Sequence, residues 1–122
     1  MQQSRHQNPA FTIRPLATFS GLRGVPIVAT SHNSLFPSLS IGPGGIVIRV
    51  IRWHRLAADD IESISLRKFL GYQITFVPRT GIRTFTAAFA GKADTVKTLT
   101  ALRHHAPALA PAIDTLLKQI TP

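Results

Sequence analysis

Arg49, Arg52, His54 and Arg55 fall within seven residues, with Trp53 among them. No other seven-residue stretch gathers three arginines. Arginine presents a planar fork of donors that matches phosphate or carboxylate, so this spacing reads as a site for anions. Arg67 and Lys68, beside Phe69 and Leu70, form a second basic group. On a membrane surface these cations would meet lipid phosphates while Trp53, Phe69 or Leu70 enter the interface. On single-stranded nucleic acid the same side chains would supply phosphate contacts and stacking. A plainer reading assigns Trp53 and Phe69 to packing and the arginines to a solvated face. The candidate anion- or partner-binding set is Arg49, Arg52, Trp53, His54, Arg55, Arg67 and Lys68.

The remaining constellations point away from catalysis. Asp59, Asp60 and Glu62 form the only acidic cluster. As an acid–base or metal site it would need converging partners, and the sequence suggests none. Two turn-stabilising aspartates, with Glu62 paired to a nearby arginine, are the simpler expectation. An enzyme built on Asp59, Asp60, His54 and the arginines would require all of them to meet in one pocket. The histidines are scattered. His104 and His105 adjoin on a helical pattern, so their rings are expected to diverge by about 100° and not to share a metal. Gly42–Pro43–Gly44–Gly45 lacks the GK[ST] ending of a phosphate loop and precedes a strand-like run. No G-x-S-x-G elbow occurs. The expectation is a non-enzymatic domain with no cofactor and no metal.

Charge narrows the choice of partner. Ten Arg and four Lys face five Asp+Glu, for a formal net charge of +9. Such a surplus attracts polyanions, whether lipid headgroups, nucleic acid or an acidic protein. The absence of Cys excludes disulfides, thiolate metal sites and cysteine nucleophiles, and fits a reducing, cytoplasmic setting. No secretory h-region is visible in Met1–Pro9. The longest aliphatic run, Ile46–Val47–Ile48, stops at Arg49, far short of the ~20 apolar residues of a spanning helix.

These residues must be positioned by a strand-rich body. At 122 residues the chain suits one domain with one core. Met1–Pro9 reads as a polar tail. Phe11–Arg23 is mixed, with a short strand around Phe11–Ile13 or a turn of helix near Leu16–Phe19. Val25–Thr30 is a short apolar run ending at the turn-prone Ser31–Ser34. Ser38–Ile41 alternates with period two, and Ile46–Val50 is β-branched. Together they read as a hairpin around a four-residue Gly/Pro loop, its register loosely fixed. A bend within Ile51–His54 leads to a short strand at Arg55–Ala58, then a turn at Asp59–Asp60. In Ile61–Leu66, period two places Glu62, Ile64 and Leu66 on one face and Ile61, Ser63 and Ser65 on the other. Arg67–Gly71 reads as a basic loop, followed by strands at Tyr72–Val77 and Ile82–Phe89 around a Pro78–Gly81 turn. Phe85, Ala87 and Phe89 share a face. Lys92–His104 carries Val96, Leu99 and Leu102 on one helical face, and Pro107 stops it. A second helix starts near Pro111 with a stripe of Ile113, Leu116, Leu117 and Ile120.

Four stretches within Ser38–Arg103 together resemble the bacterial pleckstrin-homology-like (PH-like) domains. They are the run SLSIGPGGIVIRV, the following WHRLAADDIESISL, the hairpin YQITFVPRTGIRTFTAAF and the closing helix. The polar–Asp–Ile–x–x–Ile segment at Asp60–Ile64 is part of that likeness. The resemblance implies a mainly β antiparallel sandwich or barrel capped by a C-terminal helix, plus a short extra helix. It also implies binding or scaffolding. Relatives that hold phosphoinositides use basic residues on the first hairpin, and Arg49, Arg52 and Arg55 occupy a comparable place. The lysine-led headgroup pattern has no counterpart, since the first lysine is Lys68. On this plan residues 1–9 are a flexible tail, 10–106 the PH-like domain and 107–122 a helical extension. The implied partners are a protein or anionic lipid headgroups, at a cytoplasmic or peripheral membrane location. A small basic nucleic-acid-binding protein is the alternative, and the C-terminal helices offer a homodimer contact.

Overall fold

In a computed structural model, residues 11–22, 37–50, 52–68 and 71–120 are described. They form two four-stranded antiparallel sheets and a C-terminal helical segment. The expectations for Met1–Pro9, Val25–Thr30, Ser31–Ser34 and Phe69–Leu70 lie outside the described residues.

The first sheet, in the order β1–β3–β4–β5, comprises β1 (Phe11–Ile13), β3 (Ser38–Gly42), β4 (Gly45–Val50) and β5 (Arg52–Ala57). The second, in the order β2–β8–β7–β6, comprises β2 (Ala17–Leu22), β6 (Ile61–Lys68), β7 (Tyr72–Pro78) and β8 (Arg83–Phe89). Two of the corners between the sheets lie among the described residues. One is Arg14–Leu16, where Pro15 is buried and the Leu16 amide donates to the Ala88 carbonyl oxygen at 2.8 Å. The other is a single 3-10 turn at Ala58–Asp60 between β5 and β6. Ala17–Leu22 is therefore strand, where the sequence allowed a turn of helix. Its Thr18 and Ser20 alternate inward, a polar period that hides the strand from a search for apolar alternation.

Period-two alternation builds the core from both sheets. Leu39 and Ile41 of β3, Ile46, Ile48 and Val50 of β4, and Leu56 of β5 face inward from one layer. Ile74 and Phe76 of β7 and Phe85, Ala87 and Phe89 of β8 face them from the other. The first hairpin is tighter than its glycines suggest. Gly42 pairs with Gly45, which leaves only Pro43 and Gly44 in the loop and fixes the register closely. On β6 the expected faces do not hold. A register shift between Ile61 and Ser63 turns both Ile61 and Ile64 into the core and leaves Glu62 and Ser63 exposed. One extra residue resets the alternation, and no local composition announces it.

Helix α1 (Lys92–His105) seals the sandwich with Thr95, Thr98, Leu99 and Leu102 buried and Val96 only half-buried. The sequence pattern places Val96 with Leu99 and Leu102 on the core-facing stripe and does not single out the threonines. Their hydroxyls donate to carbonyl oxygens four residues back, Thr95 to Gly91 at 2.9 Å and Thr98 to Asp94 at 2.8 Å. Only their methyl groups then need a hydrophobic neighbour. After a 3-10 turn at Pro107–Leu109, α2 (Ala110–Ile120) buries Ile113, Leu116 and Ile120. These join the same cluster as the sheet residues, and α2 packs on α1 and β6. Arg103 of α1 grips Asp114 of α2 through Nε–Oδ1 at 2.7 Å and Nη2–Oδ2 at 3.3 Å. No helix among the described residues is long and apolar enough to cross a membrane.

Candidate anion-binding face

The site is made by the register of three strands. Arg49 of β4 pairs with Ser38 of β3 on one side and Trp53 of β5 on the other. Val47 pairs with Ser40 and Arg55. Ile46, Ile48, Val50 and Leu56 fill the inner face, so alternation turns Ser38, Ser40, Val47, Arg49, Trp53 and Arg55 outward. The Arg49 guanidinium carbon lies 5.3 Å from the Trp53 ring centroid, within range of a cation–π contact. Trp53 is 57% exposed, high for the largest apolar side chain, and Arg55 is exposed beside it. Beneath the face, the Thr18 hydroxyl of the opposite sheet donates to the Arg49 carbonyl oxygen and ties the two layers together.

The sequence grouped seven residues, and the fold divides them. Arg49, Trp53 and Arg55 share the outer face of the first sheet. Arg52 opens β5, with Val50 as its backbone partner. The sequence places a bend within Ile51–His54 and a strand from Arg55; β4 and β5 reverse between Val50 and Arg52, and β5 begins three residues earlier, at Arg52. His54 takes the opposite phase, its ring 4.7 Å from Phe85 of the second sheet, and so belongs to the interior. Arg67 and Lys68 sit on the last two positions of β6, in the other sheet, rather than in a loop. Lys68 Nζ lies 5.9 Å from the Tyr72 ring.

Three side chains absent from the predicted set join Arg49. Thr12 of β1, Arg14 just after it and Ser38 line with it a shallow depression of about 430 Å³, bounded also by Ile13 and Pro37. The Thr12 and Ser40 hydroxyls meet at 2.8 Å nearby. Arg14 and Pro37 also border a second depression of about 380 Å³, lined by Pro15, Leu16, Phe89, Ala90 and Asp94. Phe11–Arg23 carries no clean periodicity that would place Arg14. Its neighbours across β1–β3–β4 are distant in sequence, and only the pairing reveals them.

Charge is distributed unevenly about this face. Strands β1, β3, β4 and β5 contain no Asp or Glu, and all five carboxylates of the chain lie on other elements. Asp59 and Asp60 act as a clip. The Arg79 amide donates to the Asp60 carbonyl at 2.6 Å, Arg79 Nε to the Asp59 carbonyl at 3.1 Å, and the Thr80 hydroxyl to the Asp60 carboxylate at 3.2 Å. The clip joins the β5–β6 corner to the β7–β8 turn. Asp114 is held below the usual carboxylate range, first by the hydrogen bond from Arg103. Among the described residues no group of three or more His, Asp or Glu is placed to hold a metal ion. The His104 and His105 rings do not diverge as expected. They meet edge to face at 4.8 Å because side-chain torsions bring adjacent rings together. Burial first, and the neighbouring His104 second, push His105 below its ordinary pKa.

The face thus presents the guanidinium groups of Arg14, Arg49 and Arg55 beside hydroxyls, with an exposed indole alongside, an arrangement suited to holding anions and to stacking. Comparison with known proteins yields no family model, no curated protein and no solved structure that matches the chain.

Proposed function

We propose that this chain is a non-catalytic binding module on a PH-like plan, and that it meets an anionic membrane surface through the outer face of its first sheet. The observation that carries this reading is the segregation of charge. Arg49, Arg52 and Arg55 lie on a sheet without a carboxylate, and Arg49 is stacked on an exposed Trp53. Two antiparallel sheets sealed by a C-terminal helix support the PH-like plan. Juxtamembrane Lys or Arg contributes about 1 kcal/mol per residue on anionic lipid, and interfacial Trp adds an anchor.

Co-sedimentation with phosphatidylcholine vesicles, with and without phosphatidylserine, tests it. Binding should require the anionic lipid and fall with added salt. Arg49→Glu combined with Arg55→Glu should lower the bound fraction on the order of tenfold or more. Equal binding to neutral vesicles, or full binding by the double variant, would refute the reading. The exposed indole also supports a second reading, stacking of single-stranded nucleic acid. Under that alternative a labelled oligonucleotide would be retained, and Trp53→Ala would release it while vesicle binding was absent from the start.

A further inference from the structure

We infer that the edge of β5 takes up an acidic, extended peptide as a fifth strand of the first sheet. This goes beyond the membrane reading. It concerns the backbone edge of the sheet rather than its outer face, and it stands or falls without lipid.

Four strands end the two sheets, β1 and β5 in the first, β2 and β6 in the second. An end strand leaves one row of backbone donors and acceptors outside its ladder, and proteins ordinarily shield such rows. Among the described residues three of the four are shielded. α1 packs on β1, which is only three residues long. β2 packs against β4 of the opposite sheet, and α2 packs on β6, which also carries the register shift at Ile61. β5 has β4 as its one extensive neighbour among the described residues. Its ladder with β4 runs through six consecutive pairs, from Arg52 with Val50 to Ala57 with Gly45, and holds no bulge and no proline. An unbroken edge of this kind is a template for one more strand.

Charge selects the occupant. β5 carries Arg52 and Arg55 and no acid, on a sheet whose strands have no carboxylate. A second copy of the chain brings +9 against +9 and is repelled. An acidic strand is attracted, so the arginines that reject self-pairing also set the specificity. Alternation then places each contact. Trp53 and Arg55 stand on the outer face, Trp53 57% exposed with Arg49 on its β4 side. A carboxylate across from Arg55 and an apolar residue across from Trp53 make favourable cross-strand pairs. His54 and Leu56 take the inner phase, His54 against Phe85, so small residues suit that side of the peptide. Asp59 and Asp60 follow at the corner, which confines the acidic stretch to the length of β5. The added strand lies in the plane of the sheet and leaves Arg14 and Arg49 where the membrane reading needs them.

The test titrates the isotopically labelled full chain, without lipid, with a capped heptapeptide, Thr-Glu-Thr-Val-Thr-Glu-Thr, whose pattern is the same from either end. One control replaces both glutamates by lysine. Two more are N-methylated, one at the glutamates and one at the two threonines flanking valine. Alternate amides of a strand point to opposite edges, so only one of these twins should lose binding. The acidic peptide should bind at least about tenfold more tightly than the lysine peptide. It should also slow the exchange of the outer-edge amides of β5. Arg55→Glu, at an exposed position, should cut the acidic preference about fivefold. Equal affinity for the acidic and basic peptides, an undiminished preference in Arg55→Glu, or methylated twins that bind alike overturns the inference. So does protection of the outer-edge amides before peptide is added: if it vanishes on dilution the occupant is a second copy, and if it persists the occupant is the chain itself. Vesicle binding is measured apart and decides only the membrane reading.

Discussion

Gly45 tests the register on which the anion-binding face depends. It opens β4 at φ 127°, a region L side chains rarely adopt, and it pairs with Ala57 of β5. A Cβ added there would overlap the Leu56 carbonyl oxygen and lie 2.8 Å from both the Ala57 Cα and the Ala58 nitrogen. These are backbone atoms and cannot rotate away, so Gly45→Ala must push β5 off β4. Backbone strain of this kind costs about 1–3 kcal/mol. Losing a strand-end hydrogen bond adds about 1 kcal/mol. The sum is roughly 2–4 kcal/mol, a large part of the ~5–15 kcal/mol that holds a domain of this size together. Two other glycines calibrate the figure. Gly81 has φ 80° with nothing within 4 Å, so its alanine variant bears strain without a clash. That strain of about 1–2 kcal/mol is partly offset by a stiffer unfolded chain. Gly44, in the same hairpin loop, has open space and no left-handed φ, so Gly44→Ala should be neutral or stabilising by up to ~1 kcal/mol. Urea unfolding followed by circular dichroism reads all three. With slopes of about 1–3 kcal/mol per molar, Gly45→Ala should lower the midpoint by at least about 0.7 M, well beyond Gly81→Ala. A Gly45→Ala variant as stable as Gly81→Ala would mean that β5 does not pass where this register puts it. Arg49 would then not face Trp53.

In α1, Leu99→Ala should cost about 2–5 kcal/mol, since its side chain is fully buried in the core cluster. By contrast, Thr98→Val should change stability by less than ~1 kcal/mol, because the methyl shape is kept and the hydroxyl serves only its own helix. The same urea unfolding checks both, and equal losses would contradict the placement of the Thr95–Thr98–Leu99–Leu102 face. His105 gives a pH dependence. Its folded pKa lies below the unfolded value of 6.5, through burial first and the His104 charge second, so the folded state binds this proton less readily. Stability from His105 is therefore full above pH ~6.5 and declines as the pH falls through the lower folded pKa. His105→Gln should flatten that decline in thermal unfolding recorded from pH 7.5 to 5, and an unchanged slope would exclude His105 as its source.

Much of this architecture is written in alternation that any reader of the chain can count. Leu39 and Ile41, Ile46, Ile48 and Val50, and the Phe85–Ala87–Phe89 face identify β3, β4 and β8, and all of these residues are buried as that pattern requires. The Ile113–Leu116–Ile120 stripe likewise identifies α2. What escaped detection has local physical causes. β2 buries Thr18 and Ser20, whose polarity masks its period. β6 resets its phase between Ile61 and Ser63. α1 buries threonines because their hydroxyls are satisfied by its own carbonyls. The site followed the same rule. Arg49, Trp53 and Arg55 were visible as a cluster because they are close in sequence. Thr12, Arg14 and Ser38 join them only through pairing of β1 with β3 and β3 with β4, across a separation sequence spacing does not carry. His54 left the group for the reason that kept the others in it, since consecutive strand residues face opposite ways.

The surplus of positive charge acquires a direction only through this pairing. A formal +9 spread evenly would give a weak field on every side. Two carboxylates are engaged elsewhere: Asp60 by the Thr80 hydroxyl and Asp114 by Arg103. The outer face of the first sheet carries arginines, and its strands carry no acid. Charge reversal at Arg49 and Arg55 should weaken anion binding far more than reversal at Lys97 or Lys118, which lie exposed on the helices. Equal effects at the two places would mean that net charge alone, and not this face, attracts the partner.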